Sequence, residues 1–235
     1  MNRLIETLPV DARARIEREL EPVKLNKEDV LYHDGSIVEY VHFPNSGLIS
    51  VVVTMLSGRT AETSVVGQDG MVCSAVVLDV NVALDEATVE IAGDGVRIPA
   101  RKFIAAYRDN ERLRNVVNRY NALMLAEARQ SVACNALHSA ENRLCRLLAD
   151  AQDRTGRKDL PLTQEFLSRM LGLRRPTVTQ LYPELQDRGV INNERGIIKI
   201  RDPDALRAAA CECYQIIKRR SEQVFPEWGS IGPAR

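Results

Sequence analysis

Few of the 235 residues point to chemistry of the chain's own. There are only three histidines, His33, His42 and His138, scattered too widely to make a short-spaced metal site. A metal-dependent β-roll enzyme needs clustered histidines with a carboxylate nearby, and no such cluster occurs. A glycine-rich phosphate loop, a nucleophile elbow and a Ser/His/Asp arrangement are missing as well. The expectation is therefore not an enzyme, with no catalytic and no metal-ligating residue. No apolar run approaches the ~20 residues that span a bilayer. The first residues, M-N-R-L-I-E-T-L-P-V-D, do not read as a signal peptide. Five cysteines, odd in number and irregularly spaced, make no disulfide framework. A soluble, reduced, cytoplasmic protein without membrane contact is expected. Nor is there an excess of charge, since Lys+Arg and Asp+Glu both number 32. A uniformly basic nucleic-acid coat and an acidic disordered chain are both excluded.

The neutrality is uneven. Residues 1–110 carry 11 basic and 17 acidic residues, whereas residues 154–201 carry 10 basic and 5 acidic. About fifty locally basic residues in a neutral chain form a candidate polyanion-binding surface.

After a helical lead-in at Asp11–Leu20 come short apolar runs: Val38–Phe43, Leu48–Met55, Thr60–Val66, Ala87–Ile91 and Val96–Ile98. Turn residues separate them, at Pro44–Gly47, Ser57-Gly58, Gly67–Gly70 and Gly93-Asp94-Gly95. Strands this short with turn signals between them predict an antiparallel roll rather than βαβ units. From Asn110 the pattern turns helical. Leu113, Val116, Tyr120 and Leu123 repeat at intervals of three and four, and Val117 and Met124 widen the stripe. That face serves either a dimer coiled coil or packing within the chain, with the dimer preferred. Ser139 is placed to cap a further helix, Ala140–Asp153.

Residues 162–201 carry the most informative pattern. Thr163 reads as an N-cap with Gln164 and Glu165 in the first turn. Leu167 and Leu171 face one way, Ser168 is small enough for a close helix crossing, and Gly172 suits a left-handed helix end. Pro176 is expected at the first position of a second helix, with Arg175 extended before it. Val178, Leu181 and Leu185 supply its buried face. Pro183 predicts a kink or an early helix end. Val190-Ile191 and Ile197–Arg201 make a two-stranded hairpin. Together these describe a winged helix-turn-helix, whose second helix enters the major groove by its N-terminal residues. Arg174, Arg175, Thr177 and Gln180 are placed to reach DNA, Thr163 and Gln164 lie at the first helix's start, and Arg195 and Lys199 are candidate wing contacts.

A β-roll, a long central helix and a winged helix with L-T-Q-E-F-L-S-R-M-L-G-L-R-R-P-T-V at Leu162–Val178 resemble the Crp/Fnr family of bacterial transcription regulators. The resemblance covers nearly the whole chain. It implies an α+β, jelly-roll-like sensor domain over 1–109, a dimerisation helix over 110–137, a winged helix-turn-helix over 138–203 and a helical tail over 204–235. It also implies a homodimer on a two-fold symmetric operator, with double-stranded DNA, a second copy of the chain and RNA polymerase as partners. By position Arg175 corresponds to the family's guanine-reading arginine, while Pro176 and Gln180 stand where the best-known members have Glu and Arg. The half-site should differ accordingly.

The implied effector pocket includes Gly70, Met71 and Cys73. Cyclic-nucleotide-binding members use a G-E…R-S/T pattern there. Here Met71 follows Gly70, and no Lys or Arg occurs between Gly67 and Glu90, while Asp69, Asp79, Asp85 and Glu86 add negative charge. A phosphodiester needs a cation or a cluster of donors to offset its desolvation, so a cyclic nucleotide is not expected. The first cysteine is Cys73, so the N-terminal cysteine cluster of the iron–sulfur members is missing too, and no cofactor is expected. Cys211 and Cys213, two apart on an expected final helix at Ala205–Phe225, should point to opposite sides as core packing. The alternative reading is a dimeric sensor or adaptor whose β-roll binds a small ligand without reading DNA.

Overall fold

A computed structural model describes residues 1–58, 60–80, 82–194 and 196–229. The chain opens with two short helices, α1 (Arg3–Thr7) and α2 (Val10–Glu17). Seven strands follow: β1 (Glu21–Leu25), β2 (Val30–Tyr32), β3 (Tyr40–Pro44), β4 (Leu48–Thr54), β5 (Thr60–Val66), β6 (Glu86–Ile91) and β7 (Gly93–Pro99). They form two antiparallel sheets ordered β1-β7-β3 and β2-β6-β4-β5. This is the jelly-roll-like half of an α+β chain. β1 and β2 lack the apolar pattern that marks the other strands. The turn expected at Gly93-Asp94-Gly95 is instead the start of β7, because β1 and β3 pair with it on both sides and override the local preference.

A 3-10 helix (Ser74–Leu78) bridges β5 and β6, and α3 (Ala100–Asp109) leads out of the roll. The 27-residue α4 (Glu111–Leu137) begins where the Asn110 side chain accepts from the Leu113 amide at 2.9 Å. It is ~40 Å long and stops at extended His138. Ser139 then caps α5 (Ala140–Thr155), its hydroxyl accepting from the Asn142 amide at 3.2 Å.

The stripe on α4 turns inward rather than toward a second copy. Leu113, Val116, Val117, Tyr120 and Leu123 are buried in the single chain, against Leu4, Ile5, Phe43, Met71 and Phe103 of the first half and Phe225 and Trp228 of the tail. Packing there removes their apolar surface from water within the single chain. Met124 is half-buried beside them. The large apolar side chains of α4 left exposed are Leu125, Val132 and Leu137.

The C-terminal half holds β8 (Asp159–Leu160), α6 (Gln164–Leu171), α7 (Arg175–Gln180), α8 (Tyr182–Asp187), β9 (Ile191–Glu194) and β10 (Ile197–Ile200). The expected two-stranded wing is three-stranded, ordered β8-β10-β9. The tail is not one helix: α9 (Pro203–Ala209) and α10 (Cys213–Val224) are separated by extended Ala210 and the turn at Glu212, and α11 (Pro226–Gly229) follows. α10 packs along α4, with the Arg119 guanidinium 4.5 Å from the Phe225 ring centre. The Trp228 indole donates to Thr7 at 3.0 Å, which returns the tail to the first half. None of the described helices is long and apolar enough to cross a membrane.

Candidate nucleic-acid interface and effector cavity

The helix-turn-helix is built from local rules. The Thr163 hydroxyl accepts from the Phe166 amide at 3.1 Å and starts α6. Gly172, at φ 63°, ends it in the left-handed region, and the Leu173 amide donates back to the Ser168 carbonyl at 3.0 Å. Ser168 also closes the turn, its hydroxyl donating to the Leu173 carbonyl at 2.5 Å. Buried Arg143 on α5 donates to the Leu171 carbonyl at the same helix end. Phe166, Leu167, Leu171, Val178, Tyr182, Leu185, Ile191, Ile198 and Ile200 form the core beneath.

Two details differ from expectation. Arg174, not Arg175, is the extended cap of α7, so Arg175 occupies the first helical position and Pro176 the second. A proline fits there as well, since the amides of the whole first turn lack intrahelical partners. Leu181 is only half-buried, because the helix breaks at that residue before Pro183 and restarts as α8, giving the buried position to Tyr182.

Arg174 is exposed at the cap of α7, Arg175 and Gln180 are exposed on the helix, and Thr177 is half-exposed beside them. Gln164 is exposed at the start of α6, where Thr163 is half-buried. Lys199 on β10 is paired with Glu194 at 2.7 Å, so its charge is partly neutralised. Arg195 lies outside the described residues. Glu165, passed over as a first-turn acid, forms an ion pair with Arg175 across the turn. The spacing Glu165 to Arg175 carries no periodic signal, and only the helix-turn-helix geometry joins them.

Two charge clusters hold this half against the first. The Arg154 guanidinium on α5 donates to Asp69 at 3.0 Å and to Glu127 of α4 at 3.0 Å, with only 10% of its side chain exposed. They border a recess of about 460 Å³ that also includes Asp150, Asp153 and Arg207. The second cluster joins Arg169 on α6 to Glu90 on β6 at 2.5 Å. Glu62 on β5 lies beside it with neither carboxylate oxygen hydrogen-bonded. Burial, then the neighbouring Glu90 charge, push the Glu62 carboxyl well above its ordinary value. The folded chain therefore holds that proton more tightly than the unfolded chain. The stabilisation is complete below the unfolded value of 4.5 and is lost as pH rises through the folded value. Thermal midpoints at pH 4 and pH 8 should show Glu62→Gln more stable than the parent at pH 8, by ~1 kcal/mol or more, with little difference at pH 4. An equal gap at both pH values would refute that origin.

The roll encloses a cavity of about 320 Å³, lined mainly by Val51, Met71, Cys73, Val76, Tyr120 and Met124, and reaching Leu125 and Ala128 on α4. Asp85 is the one charged residue among the described lining residues, and it accepts from the Tyr32 hydroxyl at 2.7 Å. Burial pushes the Cys73 thiol up to about 12, which keeps it protonated and unreactive. Cys73 also has left-handed backbone, φ 69°, at the start of the 3-10 helix. Of the three residues expected at the pocket, Met71 and Cys73 line it. Gly70 does not: it packs beneath α4, where a Cβ would come within 2.4 Å of the Tyr120 oxygen. That hydroxyl donates to the Met71 carbonyl at 3.1 Å and is fully buried. Gly70→Ala is expected to lower stability by ~1–3 kcal/mol through overpacking, read as a shift of the urea midpoint.

Residues 142–209 match the Crp-like helix-turn-helix domain. The chain carries that domain within the Crp/Fnr fold. No curated protein matches it by sequence. Similar solved structures include FixK2 from Bradyrhizobium japonicum, 15% identical with a TM-score of 0.70 over 82% of this chain and 98% of that one. The c-di-GMP-responsive global regulator CLP from Xanthomonas campestris is 12% identical, with a TM-score of 0.68 over 83% and 100%. A CRP/FNR-family transcriptional regulator from Thermus thermophilus is 21% identical, with a TM-score of 0.65 over 81% and 98%. The helix-turn-helix family match lies on the segment with the basic excess, and the exposed arginines open its second helix.

Proposed function

We propose that this chain is a cytoplasmic, homodimeric transcription regulator that reads a two-fold symmetric DNA operator through α7 and performs no catalysis. The observation that carries the reading is the start of α7, where the cap residue Arg174 and the first helical residue Arg175 stand exposed above a buried helix-turn-helix core. An arginine so placed can bond guanine O6 and N7 together, and Gln180 can do the same with adenine. Dimerisation is assigned to the exposed face of α4 with Leu125 and Val132, seven residues apart as a helix seam requires. In such a dimer RNA polymerase would be met from the outer surface of the DNA-bound pair.

The cavity favours an uncharged, largely apolar effector. CLP is described as c-di-GMP-responsive, but a cyclic dinucleotide brings two phosphates, and no described residue lining this cavity is Lys or Arg. Because Met124, Leu125 and Ala128 belong both to the cavity wall and to α4, an occupant would bear on the dimer helix directly.

The test is selection of bound duplexes from a randomised pool by the purified protein, followed by affinity measurements at rising salt. One symmetric sequence should emerge, with affinity falling steeply as salt rises through counterion release. Leu125→Arg with Val132→Arg should give monomers that bind half-sites only. An adaptor without DNA readout would enrich nothing, with or without cell extract supplying effectors.

A further inference from the structure

Three of the five cysteines gather at one point, apart from the three larger cores. Cys134 comes from the last turn of α4, and Cys211 and Cys213 from the junction between α9 and α10. His138, the residue that ends α4, completes the group, and the four ligand atoms lie within 4.8 Å of one another. The expectation that Cys211 and Cys213 point apart fails because the chain is not helical between them. His138 is not isolated, because it stands four residues after Cys134 and shares its helix face.

We propose that Cys134, His138, Cys211 and Cys213 bind one zinc ion that ties the end of α4 to the C-terminal segment. Three thiolates and an imidazole are a tetrahedral donor set for zinc; the three cysteines are buried and the His138 ring is partly exposed. With Zn–S bonds of ~2.3 Å, tetrahedral ligands stand ~3.8 Å apart. The Cys134 and Cys211 sulfurs are 3.5 Å apart, and Cys213 Sγ is 3.6 Å from His138 Nδ1. These spacings leave room for an ion at the centre with small side-chain adjustments.

The surrounding groups fit as well. His138 turns Nδ1 toward the sulfurs and Nε2 toward the Glu212 carboxylate at 3.7 Å. A carboxylate behind a ligating imidazole is the usual support in zinc sites. The Gln130 side-chain amide donates to Cys213 Sγ at 3.1 Å, and its oxygen accepts from Arg220 at 2.9 Å. Zinc with three thiolates and a neutral imidazole carries one net negative charge, and Arg146 faces Cys134 and Cys211. Binding releases the three thiol protons and involves no oxidation. Cys145, by contrast, is packed among leucines of the helix-turn-helix core, as an inert thiol should be.

Full-length protein purified from zinc-replete cells, weighed by native mass spectrometry, should carry one zinc per chain. Cys134→Ser and the pair Cys211→Ser with Cys213→Ser should lose it, while Cys73→Ser should keep it. Should those variants fail to fold, chelated parent protein titrated with Co²⁺ gives the same answer, through thiolate charge-transfer bands and the strong visible absorption of a tetrahedral site. Glu212→Ala keeps all four ligands and should weaken zinc binding by ~10- to 100-fold without changing the stoichiometry. Parent protein that carries no metal and gives no cobalt bands would overturn the site. So would zinc retained when both cysteines of the tail are replaced, or a Cys134–Cys211 disulfide in place of metal in protein prepared under reducing conditions.

Discussion

Replacing Arg154 by alanine is expected to lower folding stability by ~3–5 kcal/mol, the usual cost of breaking a buried charge pair from one side. Its guanidinium serves Asp69 and Glu127 together, with Asp150 close by, and water reaches only a tenth of its side chain. Without it, carboxylates from the β-roll loop, α4 and α5 face one another with no cation between them. Burial already pushes the Glu127 carboxyl up to about 7, and the adjacent guanidinium is what opposes that shift. Removing the opposition should raise it further, so the variant's deficit should shrink as pH falls and the carboxylates take up protons. In a chain of this size each kcal/mol moves the thermal midpoint by ~2–4 °C. A loss of roughly 6–20 °C at pH 8 follows, with a smaller loss at pH 5. Arg154→Ala with Glu127→Gln should recover part of it. A pH-independent loss would mean that packing, not charge, dominates.

Arg175→Ala is expected to leave the fold intact and remove operator recognition. The Arg175–Glu165 pair is about half exposed, so its loss changes stability by well under ~1 kcal/mol. A bidentate arginine–guanine contact is worth ~1–3 kcal/mol, a weakening of ~5- to 150-fold in each half-site. In a dimer both half-sites lose it. Binding to random duplex, governed by backbone charge, should fall far less, so the ratio of specific to random affinity is the quantity to measure. A selected operator bound equally well by parent and Arg175→Ala would place readout elsewhere on α7. Lys199→Ala is expected to weaken all duplexes only slightly, because Glu194 already holds that charge.

Much of the helix-turn-helix was legible in advance because its parts are local. Thr163, Gly172 and Pro183 each act on backbone within a few residues, and the structure places a cap, a left-handed end and a helix restart at those points. The strand runs of the roll were legible for the same reason. What was misread depends on partners. The apolar stripe Leu113–Leu123 has the same period whether it meets a second copy or its own roll, and only the returning tail with Phe225 and Trp228 shows which. Gly70 looked like a ligand-side glycine, but its neighbour is Tyr120, fifty positions on.

The sequence by itself determined the class of the protein: turn-separated apolar runs, a long amphipathic helix and a basic helix-turn-helix are written in periodicity and capping. Tertiary structure alone decided which distant charges and thiols meet. Asp69, Glu127 and Arg154 lie on three separate elements, and Cys134 is separated from Cys211 by 77 positions. Local patterns arise from backbone geometry repeated every two or three to four residues. Ion pairs and ligand sets have no such period, because they form wherever packed elements bring their side chains within a few ångströms.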